Sequence, residues 1–344
     1  MSAVPSAVAA RRPRRRSGRG GFLLLCGALA LGIGGFSAGA RAAEPEPVAL
    51  PAPDAAPVAH DPAPFPAPFL WEVHGGGTTH YLLGSVHLLP QAAHPLPAGL
   101  EAAYAKAGTL VFESDLAALD APEMQKELLA VARSKNLRDE VSPELYARVQ
   151  ARARQYGLPD NLCEPYAAWF CAMTLDVFSF HASGFDAAQG LDQHFYERAA
   201  ADGKPIEWFE APREHLKLFA GMDGELGREF LEATLDEDAN PDEQPAALFK
   251  AWQDGDSGFV EKLVADMQHD DPHLYERLLA ARNRSWMPAL VARLQGAEPQ
   301  LVIVGAAHLV GPDGLVPALR QRGFDVRPYS AARPAPEPAP AKDP

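Results

Sequence analysis

Two short stretches near opposite ends of the chain share one outline, and that repetition limits the possible folds more than any other feature. They are Leu82-Leu83-Gly84-Ser85-Val86-His87-Leu88-Leu89 and Ile303-Val304-Gly305-Ala306-Ala307-His308-Leu309-Val310. Each reads as a buried strand, a glycine, two small or apolar residues, a histidine, and further apolar residues. A glycine at the carboxyl end of a strand permits a sharp turn or a close backbone approach. The histidine after it then projects at the carboxyl edge of a sheet, where open α/β sheets bind ligands.

The surrounding patterns extend this reading. Phe69–Val73, the turn Gly75-Gly76-Gly77 and Thr79–Leu83 read as a β-hairpin. Thr109–Phe112 is a further apolar strand after a helix through Leu100–Lys106. Leu301–Val304 is the continuous β-branched run of a strand buried on both faces. Phe324-Asp325-Val326 adds another after a helix through Leu315–Arg322. Between Ala121 and Leu294 the apolar residues recur at helical spacing, as in 144–156, 188–201, 213–220, 259–267 and 272–294. The expected fold class is α+β: one sheet built from both ends of the domain, with a long helical insertion packed on it.

The flanks carry little fold information. Residues 1–42 have an arginine-rich start, an apolar stretch Phe22–Gly35 and the small-residue pattern Ala40-Arg41-Ala42, the layout of a cleavable signal peptide. Residues 43–68 read as an Ala/Pro-rich linker, 69–329 as the folded domain, and 330–344 as a tail of linker composition. The expected location is therefore the periplasm or beyond, by the general or the twin-arginine route, with no stable membrane span after cleavage. Removing the first 42 residues takes seven arginines and no acids, which lowers 31 basic residues to 24 against 45 acidic ones, a net charge of −21. Such a surface repels phosphate backbones, so a nucleic-acid partner is not expected.

Cys163 and Cys171 remain after cleavage. Leu162–Phe180 reads as helical, and two cysteines on one helix at that separation stand too far apart to pair. Two buried free cysteines are the expectation. The acidic run Asp236-Glu237-Asp238 lacks the spacing of a calcium loop and reads as solvated.

A lone histidine after a strand is ordinarily a core or loop residue, but two in one context favour metal ligation. His87 and His308 are the candidates, with Glu113 at the end of the strand Thr109–Phe112 as carboxylate and Asp115 as its reserve. Neutral imidazole suits Zn, Mn, Co and Fe, and two histidines with a carboxylate form a familiar open centre. His74, His80 and His94 lie close enough in sequence for supporting roles. His181, His194, His215, His269 and His273 fall in helical stretches and read as surface or packing residues.

These motifs resemble the TraB/GumN family, which is similar to the Tiki proteases and, more remotely, to erythromycin esterase and ChaN-like haem-binding proteins. The resemblance rests on Phe69–Val73, Tyr81–His87 and Val304–Leu315. Between them come Gly190-Leu191-Asp192, Lys204-Pro205-Ile206, Trp208-Phe209-Glu210 and Arg282-Asn283 with Trp286. It implies a divalent-ion hydrolase, with Mn²⁺ or Co²⁺ favoured over Zn or Fe, centred on His87, His308 and Glu113 and acting on a peptide or protein. Ser85 stands where the family more often has threonine, and Phe209 where it has leucine.

Chemistry then assigns expected roles. Glu113 ligates the ion or acts as general base, and Glu210 takes the other part. Arg282 steadies a developing oxyanion or a substrate carboxylate, with a structural ion pair as the alternative. Asn283 receives no catalytic part. Two competing readings are a haem- or metal-binding protein without turnover and an accessory factor of envelope or exopolysaccharide biology. A serine hydrolase is disfavoured because no Gly-x-Ser-x-Gly elbow is present. Nucleotide binding is disfavoured because Gly75-Gly76-Gly77 leads into a strand rather than a helix.

Overall fold

The computed structural model describes residues 69–133, 135–222, 224–235 and 243–329. The expected signal peptide, linker, tail and acidic run Asp236-Glu237-Asp238 lie outside the described residues. The chain forms a mixed six-stranded sheet flanked by helices, and strands from both ends of the domain build its centre.

In chain order the strands are β1 (Leu70–Gly75), β2 (Thr78–Ser85), β3 (Leu89–Pro90), β4 (Thr109–Phe112), β5 (Phe185–Asp186), β6 (Ile206–Trp208), β7 (Gln300–Gly305) and β8 (Asp325–Pro328). The large sheet runs β6-β4-β7-β2-β1-β8, while β3 and β5 form a separate antiparallel pair. β1 and β2 are the expected hairpin, paired from Leu70↔Leu83 to Gly75↔Thr78. Gly76 and Gly77 both hold positive φ at its tip, the backbone that a two-residue hairpin turn demands. β2, β7, β4 and β6 are mutually parallel. Leu82, Leu83, Leu110, Val111 and Leu301–Val304 are buried, so the middle of the sheet is covered on both faces.

β6 is a strand that helical periodicity does not reveal. It is three residues long and lies within the helical middle of the chain, yet it extends the parallel sheet beside β4. Lys204 secures its entry: its ammonium donates to the carbonyls of Tyr104 (2.6 Å) and Ala107 (2.7 Å). The expected helix over 272–294 also forms, but Glu276–Ala280 winds as one π-helical turn before Ala281–Leu294 continues. Such turns gather at functional sites because they re-aim the side chains beyond them.

The cysteines depart from expectation: Cys163 and Cys171 form a disulfide, with Cα atoms 5.3 Å apart. The helix begins at Ala168, not near 162, so Cys163 lies in the preceding turn while Cys171 lies in the first turn of the helix. The chain reverses between them, which removes the helical rise that would have separated them.

Candidate active site

The carboxyl ends of the four parallel strands gather the side chains of interest. Ser85 of β2 pairs with Gly305 of β7, and Phe112 of β4 pairs with both Ile303 of β7 and Trp208 of β6. Just beyond these ends come His87, His308, Glu113 and Glu210. Backbone bonds Phe209 N–H to Phe112 O (3.1 Å) and Glu210 N–H to Glu113 O (2.9 Å) continue the β4–β6 pairing past the strands. That continuation holds the two glutamates side by side.

Arg282 lies behind them, 3 % exposed. The helix Ala281–Leu294 presents it together with Trp286 one turn on. Its Nε donates to Glu210 Oε1 (2.9 Å), and its Nη2 donates to Glu113 Oε2 (2.6 Å) and Glu210 Oε2 (3.0 Å). Its Nη1 donates to His308 Nε2 (2.9 Å) and to the Leu278 carbonyl (3.3 Å), and the guanidinium carbon lies 4.6 Å from the Trp286 ring centre. A guanidinium has five N–H donors, and these contacts engage them all. The expected oxyanion role therefore has no donor left for a substrate in this arrangement. Arg282 positions the two glutamates and His308.

The two Gly-x-x-His histidines face different surroundings. His308 is fully buried, donates from Nδ1 to Asn283 Oδ1 (2.7 Å) and accepts from Arg282 at Nε2. Asn283 in turn donates to the carbonyls of His308 (3.1 Å) and Asp313 (2.9 Å), so it fixes both the ring and the backbone around it. His87 is 5 % exposed, and its Nδ1 donates to Asp192 Oδ1 (2.8 Å) while its Nε2 has no partner. Ser85 donates to the same Asp192 oxygen.

Gly190-Leu191-Asp192 makes the His87–Asp192 contact possible. A Cβ at Gly190 would overlap the His87 carbonyl, and Leu191 N–H donates to Val86 O at 3.2 Å. The helix Leu191–Asp202 thus docks directly against the His87 turn.

His87 opens onto a cavity of about 20 Å³, room for a body the size of one water. Its polar lining is Ser85, His87, Glu113, Ser114, Asp192 and His215, and Leu116, Leu119 and Ile303 supply apolar wall. His308, Arg282 and Glu210 do not line it. His215 does; it is 1 % exposed, so of its two expected places, surface or packing, it takes the packed one. It lies on the buried face of the helix Pro212–Ala220 with Leu216 and Phe219. We assign its Nδ1–H to Glu210 Oε2 (3.2 Å), an oxygen that can only accept; its Nε2 has no partner.

Charge follows from these contacts. Burial pushes Glu113 up, but Arg282 and then the surrounding histidines outweigh it and hold it well below the usual carboxylate range. Burial also pushes Glu210 up, while the His215 hydrogen bond and Arg282 bring it to about 2. Burial pulls His87 down, yet the Asp192 charge and hydrogen bond leave it above the ordinary imidazole value. Both glutamates are thus weakly basic, which favours Glu113 as an anionic ligand or anchor over a general base.

The divalent ion implied by resemblance can be tested on its donors. His87 and Glu113 fit in part: Nδ1 of His87 is held by a carboxylate, the usual support of a metal-ligating imidazole, its Nε2 has no partner, and both residues line the cavity. His308 does not fit, because Arg282 takes its Nε2 and the ring lies off the cavity. Among the described residues no three His, Cys, Asp or Glu side chains are grouped closely enough to hold an ion. His87, His308 and Glu113 are therefore not assembled as a ligand set. Asp115 caps the helix Leu116–Asp120 and accepts from Tyr196 (2.6 Å), so it serves structure.

Comparison with known proteins adds kinship. The profile of the TraB/PrgY/gumN family matches residues 69–328. Among curated relatives, the uncharacterized protein YbaP of Escherichia coli (strain K12) and that of Shigella flexneri are each 24% identical over 253 residues, covering 71% of this chain and 89% of theirs. No solved structure gives a significant match.

Proposed function

The chain belongs to the TraB/PrgY/gumN family, and we propose that it is an exported, divalent-ion-dependent hydrolase acting on peptide bonds at the carboxyl edge of β2, β4, β6 and β7. The observation that carries this reading is the pair of buried imidazole nitrogens, His87 Nε2 and His215 Nε2, left without partners on one water-sized cavity. An unsatisfied buried polar atom costs about 1–3 kcal/mol, and two on one cavity call for an occupant.

Chemistry at this edge is hydrolytic in character. The unpartnered His87 Nε2 and His215 Nε2 are the groups that would hold the reacting water, and Asp192 orients the His87 ring through Nδ1. Glu113 supplies fixed negative charge at the same wall, clamped by Arg282 and by the Gly305 N–H (2.7 Å). Glu210 and Arg282 act through these groups as positioning residues. Leu116 and Leu119 supply apolar wall beside these groups.

Two further features support the reading. The Cys163–Cys171 disulfide suits the oxidising compartment to which a signal peptide would deliver the chain. A cavity of about 20 Å³ suits a small occupant such as a water.

The test is a peptide-library digestion by the purified chain with and without added Mn²⁺ or Co²⁺, beside His87→Ala. Cleavage lost in the variant is the expected result. Cleavage unchanged in the variant, or absent from the parent under every condition, removes the hydrolase reading.

A further inference from the structure

The large sheet ends in two edge strands, β6 and β8, and they are finished differently. β8 carries an exposed Asp325–Arg327 ion pair and ends in the exposed Pro328. Charges and proline are the usual means by which an edge strand is kept from pairing. β6 lacks that guard. Its single charged residue, Glu207, is held by Arg293 of the helix Ala281–Leu294. Trp208 stands 40 % exposed, the one large hydrophobic residue left exposed among the described residues.

The register shows which backbone groups of β6 are free. Leu110 N–H donates to Pro205 O (3.0 Å), and Phe209 N–H donates to Phe112 O (3.1 Å). In a parallel ladder alternate residues turn their N–H and C=O groups to the same neighbour, so Pro205, Glu207 and Phe209 face β4. Ile206 and Trp208 therefore turn theirs outward, and among the described residues no strand or hydrogen bond takes them up.

Donors and acceptors alternating in strand geometry are satisfied together by one kind of partner, an extended polypeptide. The Trp208 ring adds an apolar surface for one of its side chains. Position along the sheet gives the edge its use. β6 runs straight into Phe209 and Glu210, and Glu210 lies beside Glu113, which lines the His87 cavity. Charge narrows the partner further. With 45 acidic residues against 24 basic ones after the first 42 residues are removed, the chain repels an acidic segment.

We propose that β6 is the substrate-docking edge of this chain: an extended, non-acidic peptide segment adds as a strand against Ile206 and Trp208, with an apolar side chain on the Trp208 ring. The inference rests on the hydrolase reading and deepens it by naming the form in which the peptide arrives, an unfolded segment or a chain end. The docked strand lies two strand spacings from β4, about 10 Å, and an extended residue covers about 3.3 Å. The cut bond therefore falls about three residues beyond the paired ones, where the segment crosses the carboxyl edge toward His87.

The probe is a synthetic library of random dodecapeptides, used with the purified chain, Trp208→Ala and Ile206→Pro. Cleavage sites are read by mass spectrometry, and capture is read on an array of the same peptides. Ile206→Pro removes an outward N–H and leaves the β4 ladder whole. Circular dichroism checks folding. The best peptide is then resynthesised with single N-methyl groups along its backbone, a scan that needs no protein variant.

The expected result is an apolar residue at fixed spacing from the cut bond. In Trp208→Ala the KM should rise about tenfold or more, with kcat within about threefold of the parent. N-methylation should weaken capture about fivefold at alternate positions and leave the positions between them unchanged, and Ile206→Pro should cost a similar factor. Cleavage at the parent KM in Trp208→Ala, with no alternation in the N-methyl scan, overturns the inference and leaves the hydrolase reading intact. Capture with that alternation but without cleavage keeps the docking edge and removes the hydrolase reading. Neither capture nor cleavage removes both.

Discussion

The turns after β2 and β7 begin from one sequence outline and end in opposite states. Past β2, His87 keeps one nitrogen unpartnered and lines a cavity; past β7, His308 has both nitrogens engaged and does not line that cavity. Part of the difference is register. Ser85, not Gly84, stands opposite Gly305, so the two motifs are staggered by one residue along adjacent parallel strands. In a sheet one residue of slip exchanges the faces to which side chains point. Local backbone widens the gap, since His308 falls within the short helix Ala306–Leu309 whereas His87 sits in a bend pinned by the β3–β5 pair. Remote partners complete it: Asp192 reaches His87, and Asn283 with Arg282 reaches His308. A motif therefore marks a place in the sheet, and the partners that reach that place assign its chemistry.

The strongest way to break the comparison is to remove the residue that engages the β7 side. Arg282→Ala leaves Glu113 and Glu210 buried and uncompensated, and loss of one partner from a buried ion pair costs about 3–5 kcal/mol. Chemical denaturation should show that fall. A loss below 1 kcal/mol would mean that water already screens the network.

Acid should dissolve the same network. The Glu210 pKa of about 2 lies below its ordinary 4.5, so its contribution to stability is present above pH 4.5 and fades as pH falls toward 2. The shift corresponds to about 3 kcal/mol at most. Glu210→Gln should flatten that part of the acid limb when urea midpoints at pH 3 and pH 7 are compared. An acid limb as steep as the parent's assigns the effect to other carboxylates.

On the β2 side, Asp192→Asn reverses the hydrogen bond to His87 Nδ1 and favours the tautomer with a proton on Nε2. Metal affinity should fall about 10–100-fold with little change in fold. Unchanged affinity and pH dependence would show that Asp192 does not set the tautomer.

The finest test pairs the two histidines. His308→Ala strands Asn283 and Arg282, whereas His87→Ala removes a ring that already has one unsatisfied nitrogen. The first should be less stable than the second by about 1 kcal/mol, with cleavage lost in His87→Ala. Equal stability losses would show that the two turns are energetically alike.

Much of this was legible beforehand because it depends on local pattern. The β1–β2 hairpin follows from its glycines, the buried β7 from its β-branched run, and the edge position of His87, Glu113 and His308 from strand ends. β6 was not legible, since three residues are too few to show a period, and its neighbour Glu210 became visible only by resemblance. His215 carried no signal of its own, because a helix that buries Leu216 and Phe219 gives no sign that the next ring meets a cavity. The disulfide was missed because the start of the helix at Ala168 is set by the turn 159–166 packed before it.

Length, periodicity and charge in this chain are sufficient for an α+β domain with a sheet closed from both ends and a ligand edge at its parallel strands. They could not apportion that edge. Which histidine meets a cavity, which is engaged by an arginine, and which carboxylate serves an imidazole depend on contacts between residues as distant in sequence as Glu113 and Arg282, or His87 and Asp192. Such contacts follow from the packing of whole elements, and hydrophobic burial that drives packing is indifferent to which polar group arrives at the edge.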